Sequence, residues 1–401
     1  MRNLAILNDY VRVPYANGSS YASQFHYREM SARGVDVTVV GPNDPDARPE
    51  ELPPRQISMP SLPIRNQPGL HLAMPSRASL KALKDANFDM VLVQSPGGLL
   101  YAGRYLREQQ GVPMVSVNTL HMPSVYNTVL PDRLNEVERV NRIFTDHLIP
   151  LVESESVNAY NSGEALVCLS PGLEKYWRDR GVTVPIRVIP RAIERRVFDQ
   201  TGGNDPFAAG AMPGARLVVV CRHVREKEVD RLLRIFARYI YPRVPDVTLT
   251  LVGDGPEHEA LQALAKELGV DHRTYFVGEQ SLHEMPDWYR NADLFVYTSL
   301  SETYGQVVSE ALWCGLPVVA MQDGMGVAGQ VSDGDDGFLI DPKANDADED
   351  FGRRVRLLLE KPALRAQMCA NAVRNAKLRS DPEACVQRYL EVFEVAKDRA
   401  R

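Results

Sequence analysis

The sequence predicts two α/β domains in tandem, each a parallel sheet covered by helices. Three observations predict it. Short, apolar, β-branched runs recur along the 401 residues, and helix-length amphipathic stretches separate several of them. The pattern then restarts after a patch rich in Gly, Pro and Asn, TGGNDPFAAGAMPGA at 201–215, which reads as the linker.

The first set of runs covers 4–7, 35–40, 90–93, 113–117, 165–169 and 186–189, with helical patterns at 20–33 and 136–147. The second covers 217–221, 247–252, 274–277, 294–297, 316–321 and 338–340. Near-continuous apolar runs mark strands buried on both faces, as in a parallel sheet between helix layers. Residues 382–397 are helical by pattern and follow the second set without forming a third domain. Domains are therefore expected at 1–200 and 201–381, with a helix at 382–401.

With 44% hydrophobic and 24% charged residues, the composition is that of an ordinary globular protein, long enough for two cores. A formal charge of -6 argues against binding nucleic acid through a general positive field, so no nucleic-acid partner is expected. The five cysteines, Cys168, Cys221, Cys314, Cys369 and Cys385, are scattered and form no CxxC pair; they read as reduced core residues, and no zinc site is suggested. MRNLAILNDY runs straight into a strand without an apolar leader, and no run reaches 18 apolar residues. A cytoplasmic chain is the expectation.

Ligands of open parallel sheets bind beyond the carboxyl ends of the strands. The informative stretch there is SLSETYGQVVSEALWCGLPVVAM at 299–321, which sets Glu302 and Glu310 eight positions apart. Val307, Val308, Ala311 and Leu312 make one apolar helix face, Glu310 falls on another, and Gly315 ends the helix. If the whole segment were helical, the carboxylates would stand roughly 12 Å apart, too far for a hydrolase acid and base pair on one glycosidic bond. The spacing suits two ends of one extended ligand, with the backbone N–H groups of Tyr304, Gly305 and Gln306 at the helix start open to an anion or a polar sugar. Two solvated glutamates are the plainer reading.

After the first strand of the second domain, CRHVREKEVDRLL places Arg222 at the strand end and Lys227 before a helix that begins near Val229. An Arg fork and a Lys point charge suit a diphosphate, although the segment alone also reads as a solvated loop. LVGDGPEHEAL and FVGEQS set Gly253 and Gly278 in strand-end turns. In the first domain His121 follows a strand, and Gly18 opens a helix after Asn17; each has an ordinary structural reading too.

Together these segments resemble the GT-B retaining glycosyltransferases of family 4, most closely between 216 and 341, where CRHVREKE, LVGDGPEHEALQALAKELGV, FVGEQ, the Glu-x7-Glu segment and DGDDGFLIDP follow in family order. The resemblance implies two Rossmann-like domains facing across a cleft, with the C-terminal helix packing back on the first domain. It implies a nucleoside-diphosphate sugar as donor substrate, a UDP-hexose first, and neither a metal nor a separate cofactor. Glu310 would hold the ribose hydroxyls and Glu302 the hexose, with the backbone N–H groups of Tyr304 to Val307 on the sugar and phosphate; Arg222 and Lys227 would carry the diphosphate, and His121 would stand near the sugar. Cys221, Glu228 and Arg191-Ala192 depart from the family's frequent Gly, Gly/Asn and Asn-Gly, each with some loss of backbone freedom.

NTLHMPSVY and RDRGVTVPIRVIPRAI are similar to members that glycosylate membrane lipids such as diacylglycerol, and Arg77, Lys81 and Lys84 at helical spacing within 64–85 fit an anionic membrane surface on the inner face, although a solvated surface is the plainer reading of those three residues. GDP-mannose as donor, a soluble small-molecule hydroxyl as acceptor, nucleotide-sugar epimerisation and turnover-free donor binding are the alternatives.

Overall fold

The computed structural model describes residues 1–12, 18–63, 71–119, 121, 138–209, 212 and 214–401. The chain forms two compact units: Met1–Arg191 with Glu383–Arg401, and Ala192–Pro382.

The first unit is built on a seven-stranded sheet, β1 (Asn3–Leu7), β2 (Asp36–Pro42), β3 (Gln56–Met59), β6 (Met90–Val93), β7 (Met114–Asn118), β8 (Ala165–Cys168) and β9 (Ile186–Val188), in the order β3-β2-β1-β6-β7-β8-β9. Every pairing is parallel. A two-stranded antiparallel ribbon, β4 (Ser61–Pro63) with β5 (His71–Ala73), stands apart from it. Leu4, Ile6, Leu92, Val115 and Leu166 are fully buried. Each such side chain contributes about 1.5–3 kcal/mol by leaving water, which is why continuous apolar runs settle here.

The second unit carries β10 (Arg216–Val220), β11 (Thr248–Val252), β12 (Thr274–Phe276), β13 (Leu294–Tyr297), β14 (Val318–Met321) and β15 (Gly337–Ile340), ordered β12-β11-β10-β13-β14-β15 and again wholly parallel. The chain runs outward from β10 through β11 to β12, then returns to lay β13 on the other side of β10. In the first sheet β1 stands likewise between β2 and β6. Each unit therefore has a topological switch point, where loops behind adjacent strands diverge and leave a crevice.

Three expectations need correction. The patch at 201–215 is no linker, because the units divide at Arg191/Ala192 and the strip before β10 is fastened to the Met285–Arg290 helix. Arg290 donates to the carbonyls of Phe198 and Gln200, Asn204 N–H donates to Asp287 at 3.1 Å, and the Phe207 ring meets Trp288 edge-on at 5.0 Å. Gly, Pro and Asn signal turns, and turns also occur inside a domain. Strands β3, β4 and β5 were not foreseen; they are short, and β3 lies at the sheet edge. The helical pattern at 136–147 lies partly outside the described residues, and from Glu138 the helix continues to Asn161.

The terminal helix Pro382–Ala400 groups with the first unit from Glu383 onward. Tyr389 meets His26 edge-on at 4.3 Å, and Glu383 pairs with Arg33 at 2.7 Å. Arg77, Lys81 and Lys84 are exposed on the Arg77–Asp85 helix, which Ser76 caps. Most of the preceding stretch, 64–70, lies outside the described residues. No helix among the described residues is long and apolar enough to cross a membrane.

Candidate active site

The switch point of the second unit gathers most of the residues singled out from the sequence. Behind β10 the chain passes Arg222 and makes one tight turn, Arg225–Lys227, before the Val229–Ile235 helix. Behind β13 it passes Thr298 to Glu302. The two loops are stitched together: Thr298 Oγ1 donates to the carbonyls of Lys227 and Glu228 at 3.2 and 2.9 Å, and Ser301 Oγ donates to that of Glu226 at 3.4 Å.

Lys227 and Glu302 meet across this seam. Lys227 Nζ donates to Glu302 Oε1 at 2.5 Å, and the Tyr297 and Ser299 hydroxyls reach the same oxygen at 2.5 and 3.0 Å. The side chains are only 18% and 13% exposed, so the pair is poorly screened. Burial pushes Glu302 up, but the Lys227 charge and the three donated hydrogen bonds more than offset it and hold the carboxyl below its usual range. Burial likewise lowers Lys227, and Glu302 overrides it, raising the ammonium above its usual value. Both groups are charged across the neutral range.

Glu310 is the opposite case. It is 7% exposed, on the Gln306–Trp313 helix, and it accepts from Tyr289 OH at 2.9 Å. With no cation beside it, burial pushes the carboxyl up to about 8, against hydrogen bonds from Tyr289 and Gln306. At pH 7 it is mainly the neutral acid, able both to donate and to accept. The helix is buried on nearly every side, so the apolar face read from the sequence understated its burial, and the reading of two solvated glutamates fails.

The helix start is shaped from beneath. Gly305 takes φ 79°, a left-handed conformation that favours glycine, and Gly315 closes the helix as expected. The Tyr304 hydroxyl joins Ser309 and Ser380 at 3.1 and 3.0 Å. Its backbone is gripped by a segment the sequence reading passed over: Gln330 donates to the carbonyls of Tyr304 and Gly305, and Gly326 N–H donates to that of Glu302 at 2.9 Å. A Cβ on Gly326 would stand 2.6 Å from the Tyr304 oxygen, so only glycine fits there. Asp323 folds this segment by accepting from the backbone of Met325, Val327 and Ala328. The DGMGVAG composition was the one available signal. The N–H groups of Gln306 and Val307 lie in the first turn, where a helix offers no internal acceptor.

Gly253 and Gly278 pair with each other, Gly253 N–H donating to Gly278 O at 2.8 Å. Cys221 N–H donates to Val252 O at 3.1 Å, which ties the turn behind β11 to the Arg222 loop. Burial pushes the Cys221 thiol up to about 12, so it is inert at neutral pH. Glu228 takes φ 49° and ψ 39°, a left-handed conformation that Gly and Asn adopt more readily.

The remaining candidates are in the first unit. His121 is buried behind β7, edge-on to Tyr176 at 4.6 Å. Burial pushes it down to about 4, so it is neutral at pH 7; Glu153 acts to raise it and Arg180 to lower it. Gly18 begins the Gly18–Ala32 helix, while Asn17 lies outside the described residues. The switch point of the first unit holds Asn8, whose amide donates to Gln94 Oε1 at 3.1 Å, and Asp9, whose N–H donates to Ser95 Oγ at 2.9 Å. Burial pushes the Asp9 carboxyl up to about 6 against hydrogen bonds from Ser95 and Ala73. Sequence reasoning had not marked Asp9.

Two family models match: Glycosyltransferase Family 4 over residues 24–196 and Glycosyl transferases group 1 over residues 211–377. Between them they take in most of the chain. It is a GT-B glycosyltransferase. The D-inositol 3-phosphate glycosyltransferase of Acidothermus cellulolyticus is 28% identical to it over 376 residues, 87% of this chain and 79% of that one. The GDP-mannose-dependent alpha-mannosyltransferase of Mycobacterium tuberculosis is 27% identical over 318 residues, 78% and 77% of the two chains. Among solved structures, Anabaena Alr3699/HepE in complex with UDP superposes with a TM-score of 0.76 at 18% identity, over 98% of this chain and all of that one. That likeness describes the fold of the glycosyltransferase.

Proposed function

We propose that this glycosyltransferase moves a hexose from a nucleoside-diphosphate sugar, a UDP-hexose first, to an acceptor hydroxyl with retention of anomeric configuration. The observation that carries the reading is the pairing of Lys227 with Glu302 at the switch point beside β10: one cation and one carboxylate, both charged and with side chains largely buried, joined on two stitched loops. Lys227 and Arg222 bind the diphosphate, and Glu302 fixes hexose hydroxyls. Glu310, neutral before the donor arrives, donates to one ribose hydroxyl and accepts from the other. His121, also neutral, is fit to hydrogen-bond a hydroxyl.

The bond between the anomeric carbon and the phosphate oxygen breaks while a bond from the acceptor oxygen forms on the same face. The acceptor proton passes to the leaving phosphate. Charge grows on that phosphate in the transition state, so cations already aimed at it lower the barrier more than they tighten the ground state. A membrane-lipid hydroxyl is the acceptor proposed from the sequence, with the exposed Arg77, Lys81 and Lys84 toward an anionic surface. Likeness to the inositol phosphate glycosyltransferase favours a second reading, a soluble phosphorylated polyol, and likeness to the mannosyltransferase keeps GDP-mannose as the second donor.

The test is turnover of UDP-glucose and GDP-mannose with diacylglycerol vesicles or inositol phosphate, following nucleoside diphosphate release and the product's anomeric proton by NMR. An α-linked product from an α-linked donor supports the reading. A β-linked product, or conversion of the donor to an epimer without acceptor, overturns it.

A further inference from the structure

His223, Asp254 and His258 come from three segments: the loop behind β10, the turn behind β11, and the first residue of the His258–Glu267 helix. Their donor atoms converge. His223 Nδ1 lies 3.0 Å from His258 Nδ1, which lies 3.1 Å from Asp254 Oδ1, and all three atoms fall within 4.8 Å of one another. The frame around them is tight. His223 is fully buried; its N–H donates to Asp254 O at 2.8 Å and its carbonyl accepts from Glu257 N–H at 3.0 Å. The two rings stack 5.0 Å apart, and Phe276 meets both edge-on.

A ring nitrogen either carries a hydrogen or offers a lone pair. A cation where the three atoms converge would take a lone pair from each of them, Asp254 Oδ1 also accepting from Gly255 N–H at 2.6 Å. With His258 Nδ1 ligating, its Nε2 carries the hydrogen and donates to the Gln262 amide, 3.1 Å away, turned to present its oxygen, the kind of outer partner that orients a metal-bound histidine.

The spacing agrees. Tetrahedral Zn²⁺ with bonds of about 2.0 Å sets neighbouring ligand atoms roughly 3.3 Å apart, a few tenths from the 3.0 and 3.1 Å of two of the three pairs here. Two imidazoles and a carboxylate favour Zn²⁺, Co²⁺ or Ni²⁺ over Mg²⁺ or Ca²⁺, which prefer oxygen ligands. The other described group of this kind, Asp44, Asp46 and His71, is less apt, because Arg12 already binds both oxygens of Asp44 at 2.6 and 3.0 Å.

We propose that His223, Asp254 and His258 form a divalent-metal site of the Zn²⁺ class that staples the Arg222 loop to the turn behind β11. Three protein ligands leave a fourth position for water or an anion. The ion holds in place the loop that carries Arg222 and Lys227, outside the charge-bearing pair itself.

The test uses the full chain, stripped with chelator and titrated with Zn²⁺ by calorimetry, then with Co²⁺ followed by its visible spectrum. One equivalent should bind, with the intense visible bands of a four-coordinate Co²⁺ ion, and Tm should rise. His258→Gln, at a half-exposed position that leaves the core intact, should weaken binding by about 100-fold or more, Asp254→Asn should weaken it less, and His71→Gln should leave it unchanged. Absence of stoichiometric binding in the wild-type chain, or full affinity in His258→Gln, would overturn the proposal, as would loss of binding in His71→Gln alone.

Discussion

The two switch points have the same topology and opposite chemistry. In the second unit, beside β10, a full ion pair is held between stitched loops, Lys227 with Glu302. In the first, beside β1, amides and hydroxyls face one another among the described residues, Asn8 with Gln94 and Asp9 with Ser95, and burial raises the Asp9 carboxyl. The same topology thus builds one crevice suited to a phosphate and one suited to neutral hydroxyls; what differs is whether a cation stands beside the buried carboxyl. Glu302 and Glu310 repeat the lesson eight residues apart. Both are buried, and only the one with a lysine is held ionised.

The sharpest way to break this contrast is Lys227→Met. It leaves Glu302 buried without its cation, and about 3–5 kcal/mol of stability should be lost near pH 7 in urea unfolding. Because Glu302 titrates below its usual range, that loss should shrink as the pH falls through its folded-state pKa. A penalty independent of pH would show that packing, and not charge, dominates the site.

Next in size is Glu310→Gln. The folded carboxyl keeps its proton up to about 8, whereas the unfolded one releases it near its ordinary value of 4.5. The folded state therefore binds more protons between those limits, and stability should fall with rising pH, by at most about 1.4 kcal/mol per pH unit from this group. Glu310→Gln should flatten that slope across pH 5–8. Asp9→Asn should act in the same sense over a shorter window, between the ordinary 3.8 and about 6, which compares the two switch points directly.

The smallest effect is expected at Glu228, strained by its left-handed backbone. Glu228→Gly relieves that strain and gives up only a partly exposed pair with Arg231 at 3.2 Å, for a net gain of no more than about 1 kcal/mol in Tm or urea experiments.

How much of this was legible depends on range. Strands β1, β6, β7 and β8, and those from β10 onward, announce themselves because burial on both faces demands continuous apolar runs. The edge strand β3 and the ribbon β4-β5 do not, since QISM, SLP and HLA mix polar and apolar residues over too few positions. The Gly315 stop and the helix start near Val229 are local, and were read correctly. Glu228 drew notice only as a departure from the resembled family, and its positive φ is set by the turn before the Val229–Ile235 helix, which its residue type does not announce. Lys227 and Glu302 were each marked, but their pairing spans 75 residues and depends on β13 returning beside β10, which no local pattern encodes. The same holds for His223 with Asp254 and His258, and for Gly326 and Gln330 beneath Tyr304.

Calorimetric titration of UDP and GDP into the wild-type chain, Glu302→Gln and Glu310→Ala tests the division of labour at the second switch point most directly. The account predicts that one of the two nucleotides binds the wild type, that Glu302→Gln retains that affinity because the Lys227 charge is still there for the diphosphate, and that Glu310→Ala loses at least about tenfold, the worth of one or two hydrogen bonds to the ribose. Equal binding by Glu310→Ala, or no binding of either nucleotide to the wild type, would contradict it.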